Sequence, residues 1–286
     1  MKKSILFLIP LFPFFVMCQN RNKKVDTIHV LPSDTIQMQY SHFQLPILEG
    51  VVNDSLHFKV LFDTGTAGNN FFISDSLKNY FVNDSAFVQI GKFIKQMGIY
   101  YYKSNQRSIF DILGKNTILV GWEFFESKII EFDFQNQRIL VYNELPDITE
   151  YSKTKITLSG NSASNSALLI PAQVVLQGKT MKDTFNIDTG CHSYMVISSK
   201  HIEEQGIDTT NAHYTKATVS GGYRPVFLIP ADTIKIEDVY AANQNMWITF
   251  IDYKARVGLL GTMTMENFIV ILDLINFDLY LKKIEN

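Results

Sequence analysis

Cysteine is scarce in this chain of 286 residues, and so is any excess of charge of one sign. Only Cys18 and Cys191 are present, so a framework of several disulfides is excluded and the fold must rely on its apolar core. The formal net charge of -2 offers no electrostatic footprint for nucleic acid or for a strongly acidic partner. No group of histidine and cysteine has the spacing of a zinc site, so we expect no bound metal.

The apolar run near the N-terminus, Ile5–Met17, is too short to span a bilayer. It follows Lys2 and Lys3 and ends at Cys18, after which the chain is polar. This order predicts an export signal. It also resembles a bacterial lipoprotein signal, with Cys18 as the acylated first residue of the mature chain. We therefore expect an exported protein of the bacterial cell envelope, in the periplasm or at the outer membrane, which contacts the membrane only through a lipid anchor.

The chain contains the tripeptide Asp-Thr-Gly twice, at residues 63–65 and at residues 188–190. A shift of 125 positions superimposes the two tripeptides and the segments before them. Leu45-Pro46 then falls on Ile170-Pro171, and the turn-like Asn53-Asp54-Ser55 falls on Gly178-Lys179-Thr180. Each copy is predicted to form a strand, a tight polar turn and a second strand that runs into the tripeptide.

A second repeated block needs a shift of 140 positions. Residues 118–121 then fall on residues 258–261, and both segments are apolar and end in glycine. Four further positions carry the same residue in both copies: Glu126 and Glu266, Ile129 and Ile269, Asp133 and Asp273, Asn136 and Asn276. The two shifts differ because the second copy has about 15 more residues between its blocks, which makes the first copy the shorter one.

Short runs rich in Val, Ile, Phe, Tyr and Thr, broken by Gly, Asn, Asp and Ser, predict a mainly β protein. Helices are expected to be short, for example at residues 198–205, and a first strand is expected near residues 35–40. The repeat divides the chain into parts with these expected bounds: signal peptide 1–18, tether 19–40, N-terminal lobe 41–150, linker 151–166 and C-terminal lobe 167–286.

The repeat has two interpretations. It could reflect a duplication that produced two similar domains without a common site. Alternatively, the two tripeptides are half-sites that face each other across a cleft. We favour the second, because a charged residue at the end of an apolar strand is costly to bury unless it is paired or hydrogen-bonded.

The two apolar-Asp-Thr-Gly segments, each followed by an apolar-apolar-Gly segment, resemble the two-lobed aspartic proteases of the pepsin and retropepsin group. The late block from Leu259-Leu260-Gly261 to Asp273 is especially similar to bacterial retropepsin-like proteases. The resemblance covers roughly residues 42–286. It implies two β-barrel lobes with short helices, related by a pseudo-twofold axis, with a cleft between them.

The resemblance also implies catalytic roles. Asp63 and Asp188 would form a dyad that holds one proton, because two adjacent carboxylates cannot easily both be ionised. One would act as general base on a bound water, while the other would hydrogen-bond the scissile carbonyl. No metal, cofactor or covalent intermediate is needed.

Four more residues of the tripeptides would support the dyad. The resemblance implies that Thr64 and Thr189 cross-link the two loops by hydrogen bonds. Gly65 and Gly190 would let each backbone pass close to the opposite lobe.

The chain departs from the family pattern near the cleft. The second copy contains a candidate flap, a hairpin that would close over substrate, at Gly221, Gly222 and Tyr223, although an ordinary exposed turn is an alternative. The first copy has no equivalent. Thr66 after the first tripeptide suits the family, whereas Cys191 at the matching place is less usual.

The leading hypothesis is therefore an aspartic endopeptidase that acts as a monomer on peptides or unfolded proteins. A catalytically inactive envelope protein of the same fold, which binds peptides or partners in the cleft, is the alternative. A carbohydrate hydrolase would also use two carboxylates. It would not explain why Thr-Gly follows both aspartates, and Trp122 and Trp247 are few for a sugar-binding platform.

Overall fold

The structure is a computed structural model that describes residues 30–102, 109–160, 166–219, 222–241, 246–251 and 257–284. The protein is mainly β, as the sequence predicts. The strands before residue 160 are β1 (Asp34–Gln37), β2 (Gln39–Tyr40), β3 (Pro46–Val52), β4 (Leu56–Phe62), β5 (Asn70–Ser74), β6 (Ser85–Ile90), β7 (Phe93–Tyr102), β8 (Thr117–Val120), β9 (Ile129–Asp133), β10 (Arg138–Tyr142), β11 (Ser152–Lys155) and β12 (Thr157–Leu158).

The strands after residue 166 are β13 (Leu168–Leu176), β14 (Lys179–Asp188), β15 (Met195–Ser198), β16 (His213–Val219), β17 (Gly222–Pro230), β18 (Thr233–Ile236), β19 (Val239–Ala241), β20 (Trp247–Ile251), β21 (Gly258–Gly261), β22 (Phe268–Asp273) and β23 (Asp278–Lys283). The helices are short: α1 (Ile109–Leu113), α2 (Ser199–Glu204), α3 (Thr262–Met265) and two 3-10 turns at Asp75–Tyr80 and Trp122–Phe125. Ser198 caps α2 by accepting the His201 N–H, which explains the expected start of this helix.

The first copy of the repeat forms a closed barrel. Its strands pair in the order β3, β4, β8, β5, β7 and β6, and β6 pairs back to β3. The second copy lies in a ten-stranded sheet with matching central pairings. In both copies the strand that leads into Asp-Thr-Gly pairs in parallel with the strand of the later glycine segment. In the first copy β4 pairs β8, which ends before Gly121, and in the second β14 pairs β21, which ends at Gly261.

The hairpin registers revise the alignment ahead of the tripeptides. Ile47 pairs Leu61 in the first copy, and Leu169 pairs Asn186 in the second. Strands β3 and β13 are therefore equivalent at a shift of 122, so the predicted match of Leu45-Pro46 with Ile170-Pro171 is wrong by three residues. The cause is a longer hairpin in the second copy. Each of its strands extends two residues further, from Leu169 to Leu176 and from Lys179 to Asn186, while its turn is one residue shorter.

A third sheet joins the two copies. Its six strands have the order β1, β10, β9, β22, β23 and β11, and β9 and β22 pair at its centre. Val270 pairs Phe132, and Leu272 pairs Ile130. The pairing is therefore centred on Glu131 and Ile271, which occupy the same position of the repeat at a shift of 140. We call this the joining sheet.

The same turn follows β9 and β22. Asp133 accepts the backbone N–H and the side-chain amide of Asn136, and Asp273 does the same for Asn276. The repeated Asp and Asn in the sequence are thus explained by two identical turns at the edge of the joining sheet.

The core is continuous between the two copies. One cluster of buried side chains includes Phe62 and Phe132 from the first copy and Ile187 and Leu272 from the second. Residues expected to be tether and linker take part in the sheets: β1 pairs β10, and β11 pairs β23. The two tripeptide loops are therefore attached to one shared core.

Candidate active site

Both aspartates of the tripeptides lie where a buried strand ends. Asp63 follows β4 directly, and its N–H donates to the Val120 carbonyl at 2.9 Å. Asp188 is the last residue of β14 and pairs with Gly261. The apolar strand residues before each aspartate fix its position in the core, and both carboxylates are half-buried.

Two fully buried threonines cross-link the loops beneath the aspartates. The Thr64 hydroxyl donates to the Ile187 carbonyl at 2.8 Å and accepts the Thr189 N–H at 3.0 Å. The Thr189 hydroxyl donates to the Phe62 carbonyl at 2.5 Å and accepts the Thr64 N–H at 3.0 Å. Four reciprocal hydrogen bonds therefore hold the two loops in one arrangement.

Each glycine of the tripeptides lies against the aspartate of the opposite loop. A Cβ atom on Gly65 would be 2.5 Å from Cγ of Asp188, and a Cβ atom on Gly190 would be 2.5 Å from Cγ of Asp63. Only a residue without a side chain leaves room for this contact. The arrangement brings the two carboxylates together above the threonine cross-link.

The two carboxyl groups interact directly. The Asp63 side chain accepts the Gly65 N–H, and the Asp188 side chain accepts the Gly190 N–H, both at 2.9 Å. The pKa of Asp188 is raised well above its usual value by burial, by the charge of Asp63 and by a hydrogen bond with the Asp63 carboxyl. A hydrogen bond between two carboxyl groups requires a proton on one of them, so this arrangement suits a pair that shares one proton.

The two aspartates differ in one further contact. The Thr66 hydroxyl donates to Oδ2 of Asp63 at 2.8 Å. At the matching place in the second copy stands Cys191, a half-buried free thiol. Burial and the charges of Asp188 and Asp63 raise the pKa of this thiol, so it stays neutral. A donated hydroxyl bond favours a charged carboxylate, so the geometry favours Asp63 as the ionised member.

The candidate flap belongs to the hairpin of β16 and β17. Gly222 is the first residue of β17, and Tyr223 follows it, whereas Gly221 lies outside the described residues. β17 pairs β20 on the sheet that carries Asp188. The strand pairings match β6 with β18, since they pair β3 and β13, and β7 with β20, since they pair β5 and β15. In the described part of the first copy no hairpin equivalent to β16 and β17 precedes β6. The hairpin thus accounts for the greater length of the second copy.

Two histidines follow the second tripeptide in the chain, and neither is hydrogen-bonded to Asp63 or Asp188 in the described structure. His201 contacts Asp183 at 3.0 Å, and burial lowers the pKa of His192. Among the described residues no three His, Cys, Asp or Glu side chains form a group that could hold a metal.

Cys18 lies outside the described residues. In the part of the chain that the structure describes, no helix is long and apolar enough to cross a membrane.

Sequence reasoning missed two residues near the site. The bond from Thr66 to Asp63 has a sequence signal, a hydroxyl residue one place after Asp-Thr-Gly. Glu123 was not singled out, yet its buried carboxyl group binds the loop that carries Asp63. The 55 positions between Glu123 and Gly68 left no local pattern from which this contact could be expected.

A cavity of about 630 Å³ lies elsewhere in the first copy. Its lining residues come from the β1–β2 segment, from β3 and β4, and from the end of α1. None of them belongs to either tripeptide loop. The carboxyl pair, rather than this cavity, is therefore the candidate active site.

Comparisons with models of known protein families and with functionally described proteins found no match for this chain. The function therefore has to be argued from the site. Two hydrogen-bonded carboxyl groups that share one proton can act as acid and base on a single substrate without a covalent intermediate.

Proposed function

We propose that the chain is a single-chain aspartic endopeptidase of the bacterial cell envelope, with Asp63 and Asp188 as its dyad. The observation that carries the proposal is the hydrogen-bonded carboxyl pair above two reciprocally cross-linked loops. The proposal includes a two-lobed fold with a pseudo-twofold axis through the dyad. The centred pairing of β9 with β22 and the matching strand pairings of the two copies support it.

In the proposed mechanism Asp63 is the base and Asp188 the acid. The ionised Asp63 takes a proton from a bound water, whose oxygen attacks the scissile carbonyl carbon. Asp188 hydrogen-bonds the carbonyl oxygen and stabilises the charge that develops on it. The proton taken up by Asp63 then passes to the leaving amine as the C–N bond breaks, and the dyad is left with its single proton. The Thr66 hydroxyl supports this assignment because it stabilises the charged form of Asp63.

Peptides and unfolded proteins are the proposed substrates, because an extended chain can reach a pair of carboxyl groups located between two sheets. The hairpin of β16 and β17 is the proposed flap, and it would close over substrate from the second copy alone. The proposed anchor is a lipid on Cys18, supported by the apolar run and the basic residues that precede it.

Cleavage of a diverse peptide library, followed by mass spectrometry between about pH 3 and 7, tests the activity. We expect cleavage at internal bonds, inhibition by a statine-type transition-state analogue, and no turnover by Asp188→Asn. Asp54→Asn is the matched control, because Asp54 is exposed in a turn with a positive φ of 59° that asparagine tolerates.

Two results would contradict the proposal. If the wild-type protein binds peptides but cleaves none, it is a binding protein of the same fold. If Asp188→Asn cleaves as fast as the wild type, the activity does not come from this dyad.

A further inference from the structure

Glu123 is a buried carboxyl group that the proposed mechanism does not use. It lies in the 3-10 turn Trp122–Phe125, directly after Gly121, and only 3 % of its surface is exposed. One carboxyl oxygen, Oε1, accepts the Gly68 N–H at 2.5 Å. Among the described residues the other oxygen, Oε2, has no hydrogen-bond partner. A buried carboxyl group with one unsatisfied oxygen is costly, so its surroundings need an explanation.

Oε2 of Glu123 is close to the main chain of the Asp63 loop. A Cβ atom placed on Gly121 would be 2.5 Å from the Thr66 carbonyl oxygen and 2.9 Å from Oε2. Both oxygens therefore border the same small space. If Glu123 were ionised, both groups that border this space would be acceptors. A proton on Oε2 would supply a donor that the Thr66 carbonyl can accept.

The second copy satisfies the equivalent carbonyl in a different way. The Cys191 carbonyl, which matches that of Thr66, accepts the N–H of Thr262 at 2.9 Å and its hydroxyl at 3.2 Å. In the first copy Trp122 stands in place of Thr262, and its indole N–H donates to the Ser166 carbonyl instead. The first loop thus lacks the hydroxyl donor that the second loop has, and Glu123 is the side chain in position to replace it.

We propose that Glu123 is a positioning residue for Asp63 and that it acts as a neutral carboxylic acid. It binds the loop at two points, accepting from Gly68 and donating to the Thr66 carbonyl. Thr66 in turn donates its hydroxyl to Asp63. The inference rests on the proposed function, because it concerns the orientation of the proposed base.

The charges around Glu123 agree with a neutral acid. Burial raises its pKa, and the charge of Glu126 adds to this rise. The Gly68 N–H, the backbone N–H of Glu123 itself and the charge of Lys95 oppose it. Lys95, from β7, donates to the Glu123 backbone carbonyl at 2.6 Å and to the Glu126 carboxylate at 3.0 Å. The ammonium group is thus already paired with other acceptors.

The test compares Glu123→Gln with Glu123→Met. Glutamine keeps an acceptor for Gly68 and a donor for the Thr66 carbonyl at every pH. Methionine is the residue of the second copy at this position and has neither group. We expect Glu123→Gln to keep the wild-type kcat at acidic pH and to extend activity to higher pH. Glu123→Met should lose kcat roughly tenfold, since a buried group is left unsatisfied. Glu131→Gln, a change at a half-buried carboxyl bonded to Tyr142 in the joining sheet, is the matched control and should leave the pH profile unchanged.

Titration of the Glu123 side-chain carboxyl by carbon NMR reports its protonation whether or not the protein cleaves peptides. We expect a neutral carboxyl that ionises above the usual range of glutamate. A carboxyl that is already ionised at pH 4, or equal kcat–pH profiles of Glu123→Gln and Glu123→Met, would overturn the inference without affecting the proposed dyad. Failure of the wild type to cleave any peptide would reject the proposed function, and the titration would still decide the state of Glu123.

Discussion

The threonine cross-link gives the sharpest prediction about stability. Thr64→Val keeps the shape of the side chain and removes its hydroxyl. The change deletes the bond from Thr64 to the Ile187 carbonyl and the bond from the Thr189 N–H to Thr64. All of these groups are buried, so water cannot replace the lost partner.

The expected loss follows from the two deleted bonds. A buried donor or acceptor left without a partner costs about 1–3 kcal/mol. The Thr189 N–H and the Ile187 carbonyl are both affected, so we expect the free energy of unfolding to fall by about 3 kcal/mol. Thr189→Val should have a similar effect, because its bonds mirror those of Thr64.

Urea unfolding measures this loss, with Thr117→Val as the matched control. Thr117 is as buried as Thr64, but its hydroxyl makes only one side-chain bond, to the Leu113 carbonyl at 3.1 Å. We expect a loss of about 1 kcal/mol for the control. If Thr64→Val costs no more than Thr117→Val at an unchanged m-value, the reciprocal cross-link does not stabilise the protein and the reasoning is refuted.

Further predictions concern the geometry and charge of the dyad. Cys191→Ser places a hydroxyl at the position that matches Thr66, so the pKa of Asp188 should fall and the alkaline limb of the kcat/KM–pH profile should move to lower pH. An unmoved limb would contradict the proposed difference between the two aspartates. Thr66→Val removes the donor to Asp63 and should lower kcat/KM in the same assay, because the Asp63 carboxyl loses a hydrogen bond that orients it. Gly190→Ala places a methyl group 2.5 Å from Cγ of Asp63, so we expect loss of both cleavage and statine-analogue binding by calorimetry. Tight inhibitor binding by this variant would mean that the carboxyl pair tolerates displacement.

Local features of the fold could be predicted from the sequence. The apolar runs before Asp63 and Asp188 predict the strand ends, and the short helix expected at residues 198–205 corresponds to α2. The mainly β class followed from β-branched and aromatic residues in short runs. These features depend on neighbouring residues, which a sequence displays directly.

Contacts between distant parts of the chain could not be predicted. The central strands of the joining sheet, where Val270 pairs Phe132, are buried on both faces. Their buried residues do not alternate with exposed ones, so the sequence pattern does not indicate which strand pairs with which. The hairpin register was missed because the second hairpin has longer strands and turns at Gln177, whose positive φ of 52° its residue type does not indicate. The contact of Glu123 with Gly68 depends on the folded position of the 3-10 turn.

The central claim is that Asp63 and Asp188 act as one acid–base unit. A double-mutant cycle tests it most directly, with kcat/KM measured for the wild type, Asp63→Asn, Asp188→Asn and the double variant on one cleaved peptide. Residues that act as a unit are strongly non-additive, so each single change should cost about as much as both together. Losses that add in the double variant, or activity that survives either single change, would contradict the account.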